Sequence, residues 1–312
     1  MNLKSRNPQE RDESIKMIPT IASCLGIERT ILELIPYIIN SAAHTEKSLS
    51  DSIKQFSNFD FDYTQNHFKP IFDAIKPLFE IDINAIRKAT VNFLATICSK
   101  LDQSFVDEHL PREITLLLEN NPDEYSFPIS LQLVGAKLIG KIFHLLSKDY
   151  QNNILTDFIT FAGGENPPLV ECAIIKTCTK LIQYTDDPRL FKIVQKYTKN
   201  PSPTIAYPIP KFIIRYLSKE NSDFSKIVVL LRGLSRSPNW RIKCKLFISL
   251  KPINDVKPIP SDLLVDIFYG TLNRENEDPE VRIAEAQQLG LLQSLIDSNP
   301  KTMEIIQKLL KD

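Results

Sequence analysis

The sequence predicts an all-α protein, an α-solenoid of about seven to eight stacked helical hairpins. Three observations carry that prediction. First, a hydrophobic residue followed by arginine recurs at Ile86-Arg87, Trp240-Arg241 and Val281-Arg282, each time after a short turn rich in Asp, Asn or Pro. Positions 241 and 282 lie 41 residues apart and positions 87 and 241 lie 154 apart; both separations fit a step of roughly 40 residues, the period of a stacked helical hairpin. Second, apolar residues recur at the helical period along nearly the whole chain, without the alternation of strands. Third, glycine is scarce, 8 of 312 residues against 21 prolines, whereas doubly wound folds place glycine in phosphate loops and tight strand turns.

Taken in order, the periodicity predicts a helix over 11–25, the second helix of an incomplete hairpin. Paired helices follow at 30–41 with 47–59, 64–79 with 84–100, 103–119 with 127–147, and 150–163 with 167–183. The pattern continues at 187–199 with 204–218, 224–236 with 240–250, and 260–273 with 279–296, and a lone helix at 301–311 closes the chain. On this reading residues 1–312 form one array, since a solenoid needs no single core at this length. The stripes are explicit: Ile86, Ala89, Phe93, Ile97 and Leu101; Trp240, Cys244, Phe247 and Ile248; Val281, Ala284, Leu289, Leu292 and Leu295.

Proline marks the turns within hairpins at Pro128, Pro167, Pro203, Pro238 and Pro279, close to a second helix's first turn, where a missing N–H is harmless. Pro36, Pro70 and Pro77 fall inside first helices and predict bends. Tyr207-Pro-Ile-Pro210 predicts a distorted repeat, and the prolines of 251–262 predict a longer loop.

Lys plus Arg and Asp plus Glu each number 38, so the formal net charge is zero. That balance argues against nucleic acid as the main ligand, because affinity for phosphate backbones grows with the cations presented. The five cysteines are scattered through apolar runs and read as small buried hydrophobes in a reducing compartment. With no apolar leader and no unbroken apolar stretch long enough to span a bilayer, the expectation is a protein without a membrane partner, cytoplasmic, with the nucleus as alternative. His44, His67, His109 and His144 are never spaced as helical metal ligands, and no phosphate loop or nucleophile elbow occurs. We therefore expect no catalytic, cofactor or metal site, and no enzyme.

Helix pairs of this length, with a Pro or Asp turn and then a hydrophobic-Arg dyad, resemble HEAT repeats. The segment Ser14-Ile-Lys-Met-Ile-Pro-Thr-Ile-Ala-Ser-Cys-Leu-Gly-Ile-Glu-Arg-Thr-Ile-Leu-Glu-Leu-Ile-Pro-Tyr37 resembles the first repeat junction of the scaffold (A) subunit of protein phosphatase 2A. Ser237-Pro-Asn-Trp-Arg-Ile-Lys243 and Asp278-Pro-Glu-Val-Arg-Ile-Ala-Glu-Ala286 resemble later repeats of the same amino-terminal half. The resemblance implies a right-handed solenoid of armadillo type, monomeric alone, that binds a phosphatase regulatory subunit through its intra-repeat turns. The family's catalytic-subunit site lies on its last repeats, which have no counterpart here, so direct catalytic-subunit binding is expected to be weak or absent. Glu171 and Ala206-Tyr207 depart from the pattern, standing where a basic residue belongs. The rival expectation is a HEAT adaptor in transport or complex assembly, unrelated to phosphatases. It gains if Leu25-Gly-Ile-Glu-Arg-Thr30 proves to be buried capping chemistry.

The candidate partner-binding residues are those at the turns: Asn84, Arg87, Pro128, Asn166, Ser202, Asn239, Trp240, Arg241, Glu280 and Arg282. Two further readings stand beside this one. The arginines form a structural ladder, each reaching an Asp in the next repeat's turn, and Trp240 belongs to the core.

Overall fold

Prolines and short polar caps decide where this chain starts each helix. The computed structural model describes residues 3, 5, 7–41, 45–119, 128–199, 202–272, 277–295 and 300–309, and among them helices are the only regular secondary structure. The protein is all-α. The chain divides into two compact units, 1–161 and 162–312.

In the first unit, α1 (Pro8–Lys16) starts on Asn7, whose side chain accepts from the Gln9 N–H at 3.0 Å. The single helix expected at 11–25 is in fact two, because Pro19 cannot donate to the Ile15 carbonyl, and α2 (Ile18–Leu25) begins afresh. At Gly26, φ is 78°, a left-handed conformation that suits glycine, and it turns the chain into α3 (Ile27–Arg29). A π-helical turn over Thr30–Leu34 then leads into α4 (Ile35–Asn40), placing the wide turn directly before Pro36.

Next come α5 (Glu46–Phe56), α6 (Gln65–Ile75), α7 (Asn84–Cys98), α8 (Gln103–Leu118), α9 (Pro128–Ile142) and α10 (Lys148–Gly163). Pro70 lies inside α6, and Pro77 falls in the 3₁₀ turn Lys76–Phe79 that ends it. Helix α5 packs on α7 and α7 on α9, while α8 folds back along α9 as a hairpin. Phe56 and Phe93, both fully buried, meet edge to face at 5.4 Å between α5 and α7. Each such ring stabilises the stack by roughly 2–3 kcal/mol.

The second unit repeats this logic with α11 (Pro168–Leu181), α12 (Pro188–Thr198), α13 (Pro203–Ala206), α14 (Ile209–Leu217), α15 (Ser225–Ser235), α16 (Trp240–Val256), α17 (Ser261–Leu272), α18 (Pro279–Ala286) and α19 (Pro300–Leu309). One layer runs α11, α14, α16, α18; the other runs α12, α15, α17, α19. Phe247 of α16 and Phe268 of α17, both fully buried, close the hairpin core at 5.2 Å.

Beyond the division at Pro19, the helix boundaries bear out one expected distortion and correct the sequence reading in two places. The double proline at 208 and 210 divides one helix into α13 and α14. Helix α16 runs through Pro252 to Val256, so the loop expected from 251 shrinks to Lys257–Pro260. The helix expected over 279–296 stops at Ala286, and a 3₁₀ segment, Leu289–Leu295, replaces its second half.

Some buried-face expectations also change. Ile248 is half exposed, and of the cysteines Cys24 is exposed and Cys244 intermediate while Cys98, Cys172 and Cys178 are buried. Burial pushes the Cys98 thiol up to about 12, so that thiol stays protonated at neutral pH.

Candidate functional site

The turns within hairpins set each second helix's first four residues, and the structure fixes their register. The fourth helical residue is Arg87 in α7, Leu131 in α9, Glu171 in α11, Ala206 in α13, Lys243 in α16 and Arg282 in α18. The third is apolar in five of these six helices: Ile86, Val170, Ile205, Ile242 and Val281. The dyad of α16 is therefore Ile242-Lys243, and Trp240-Arg241 sits two residues earlier, on the helix's first and second positions. Sequence alone misassigned it because Trp-Arg has the same hydrophobic-basic form.

That shift separates structural cations from exposed ones. Arg87 is 4% exposed, and its guanidinium donates to Asp82 Oδ1 at 2.7 Å and to Ser130 Oγ of α9 at 3.4 Å. It thus ties its own turn to the next hairpin, with a serine where an aspartate was expected. Lys243 holds the equivalent place in the second unit and pairs with Glu277, the last turn residue before the cap of α18. Arg241 has no such role: it is exposed, its guanidinium lying over the Trp240 ring at 4.3 Å. Trp240 itself is half-buried at the start of α16, which corrects its reading as a core residue.

The other turn residues divide the same way. Asn239 caps α16, its Oδ1 accepting from the Arg241 N–H at 3.0 Å, and Asp278 caps α18 onto the Glu280 N–H at 3.0 Å. Asn84, exposed at the first position of α7, accepts from Lys137 Nζ of α9 at 2.6 Å. Asn166 donates to the Gly164 carbonyl at 3.2 Å and closes its turn. Pro128 opens α9, Ser202 is the N-cap of α13, Glu280 is exposed on α18 and Arg282 is half-buried beside it.

Exposed apolar side chains stand in the same first turns. Ile129 is exposed on α9 in the first unit. In the second unit they are Leu169, 54% exposed, on α11, Tyr207 after α13, and Ile283, 53% exposed, on α18. Helices whose opposite faces are fully buried against their neighbours leave these side chains in water, which is where a partner gains apolar contact.

A second ladder has no counterpart in the sequence reading. Lys100, Lys219 and Lys257 follow the ends of α7, α14 and α16, and each reaches back to the preceding repeat. Lys100 Nζ donates to the Phe59 and Phe61 carbonyls, each at 3.4 Å. Lys219 donates to the Ile182 carbonyl at 3.0 Å and pairs with Asp186, and Lys257 donates to the carbonyl of Ser222. A lysine just past each helix was the available signal, since cations there satisfy terminal carbonyls.

No family model and no curated protein matches the sequence. Among solved structures, the chain is similar to one engineered protein at 13% identity, covering 97% of this chain and 80% of that chain with a TM-score of 0.36. A second engineered protein is similar at 10% identity, covering 83% of this chain and 98% of that chain with a TM-score of 0.27. Likeness at that level carries no argument about function.

Proposed function

We propose that this chain is a non-catalytic scaffold, a right-handed solenoid of about seven to eight hairpins that binds a protein partner along its intra-hairpin turns. One observation carries the reading: Leu169, Tyr207, Arg241 and Ile283 stand exposed at or just after the first turns of successive second helices, while the third residue of each of these helices is buried. The segments Ser14–Tyr37, Ser237–Lys243 and Asp278–Ala286 support a serine/threonine phosphatase of the 2A type as the assembly, with a regulatory subunit as the direct partner. The test is a pull-down with the tagged full chain, probed for regulatory and catalytic subunits of that phosphatase. Capture of the regulatory subunit, reduced by Leu169→Asp with Ile283→Asp, is the expected result. Capture of the catalytic subunit alone, or of neither, overturns the assignment.

A second reading is favoured by the amino-terminal phrase. Gly26 supplies the left-handed junction, and Thr30, 1% exposed, donates its hydroxyl to the Ala22 carbonyl at 3.2 Å. Arg29, at the end of α3, and Glu33, in the π-helical turn that follows, form an exposed pair four residues apart. Both halves of Leu25–Thr30 thus do local structural work, as expected of a HEAT adaptor for transport or complex assembly. In that case the pull-down recovers a partner unrelated to phosphatases, and the same turn substitutions weaken it.

A further inference from the structure

Two neighbouring turns in the second unit differ in charge from those on either side. The turn before α11 holds Glu165, and the one before α18 holds Glu277 and Asp278, with Glu280 just inside the helix. Between them, the ends of α12 and α15 open a recess of about 440 Å³ lined by Lys199, Arg232 and Arg236, with Val229 and Pro238 as an apolar wall and Thr198 behind. Its base is tight, for a Cβ on Gly233 would stand 2.6 Å from Thr198 Oγ1.

All three cations are exposed. Arg232 pairs with Asp266 at 3.0 Å, whereas among the described residues Lys199 and Arg236 form no ion pair. Both are C-caps, Lys199 of α12 and Arg236 of α15. Each helix end carries a partial charge of roughly −0.5, so the two ends and Asp266 leave about one positive charge unmatched. That excess sits beside exposed apolar surface and between acidic turns, a pattern complementary to a short run of carboxylates.

We infer that this recess takes an acidic peptide segment of a protein partner, its carboxylates on Arg236 and Lys199 and its stems against Val229. The inference rests on the hairpin turns being the partner surface, and it names the chemistry of what they take there.

The probe is a fluorescein-labelled polyglutamate peptide titrated into the full chain by fluorescence anisotropy. Saturable binding is expected, weakened at least tenfold by Lys199→Glu with Arg236→Glu, and weakened about as much between about 50 and about 300 mM NaCl. The neutral pair Lys199→Gln with Arg236→Gln falls between, and Lys211→Glu, an exposed cation on α14, changes affinity by less than about twofold. Circular dichroism checks that each variant is folded. Absence of binding, an equal loss with Lys211→Glu, or tighter binding of a single-stranded oligonucleotide of matched charge overturns the inference. Polyglutamate binding without capture of a phosphatase subunit leaves the recess standing and removes the phosphatase assignment. A regulatory subunit held equally well by wild type and the double reversal removes the recess and leaves the assignment.

Discussion

Lys243 and Glu277 form an ion pair whose side chains are 3% and 5% exposed, joining α16 to the turn before α18. A buried pair of this kind gains less than its Coulomb energy suggests, since both charges have left water. Losing one partner is a different matter. Lys243→Met should lower stability by about 3–5 kcal/mol, because Glu277 would remain buried without its partner, whereas Lys243→Met with Glu277→Leu should recover most of that loss. Urea unfolding of the three proteins measures both; a double variant no more stable than the single one would place the value in the lysine's packing.

Glu285 gives the fold a pH dependence. Its residue is fully buried and, among the described residues, neither carboxyl oxygen has a hydrogen-bond partner, while the Thr271 hydroxyl is engaged by the Ile267 and Phe268 carbonyls. Burial first, and then the Glu277 charge, push its carboxyl up to about 7; the neighbouring Thr271 hydroxyl opposes the rise most, followed by Lys243 and Arg282. A folded-state value above the unfolded one means that the folded protein holds the proton more tightly. Glu285 thus stabilises fully below about pH 4.5, loses that contribution as pH rises toward about 7, and changes no further above it. Glu285→Gln should remove up to about 3 kcal/mol of this dependence, so the variant gains on wild type between pH 5 and pH 8. Melting temperatures of both proteins across that range decide it; parallel curves refute it.

The register assigned to the dyads separates two arginines that look alike in sequence. Arg87→Met should cost about 2–4 kcal/mol, since it leaves Ser130 and the Asp82 turn without a donor. Arg241→Met should cost less than about 1 kcal/mol, its contact with Trp240 being exposed. Equal losses in denaturant would show that both arginines hold the stack.

At the amino-terminal junction, Gly26→Ala should cost about 1–3 kcal/mol through backbone strain alone, since φ 78° with ψ 168° is a region that side chains rarely adopt and no atom lies within 4 Å of the added methyl. Thr30→Val should cost about 1 kcal/mol by removing the buried bond to the Ala22 carbonyl. Thermal melts measure both. Partner capture unaffected by Thr30→Val would assign that residue to folding, and loss of capture at unchanged stability would assign it to recognition.

The helices were legible in the chain because their signals are local. Pro128, Pro168, Pro203 and Pro279 each stand at a first helical position, and Asn239 and Asp278 cap the helices that follow them. The continuation of α16 through Pro252 was not legible, since packing of Leu250 and Ile253 in the core outweighs the proline's local preference. The basic recess was not legible either: Lys199 and Arg236 are 37 positions apart in the chain and meet only when α12 packs on α15.

By itself, then, the sequence determined the helical class, the positions of the turns and the absence of strand patterning, all of which follow from nearest-neighbour sterics, capping and the 3.6-residue period. Tertiary structure decided which cation at the start of α16 is buried. Trp240-Arg241 and Ile242-Lys243 are equivalent as strings, and the roughly 100° rotation per residue sends Lys243 inward to Glu277 and leaves Arg241 in water.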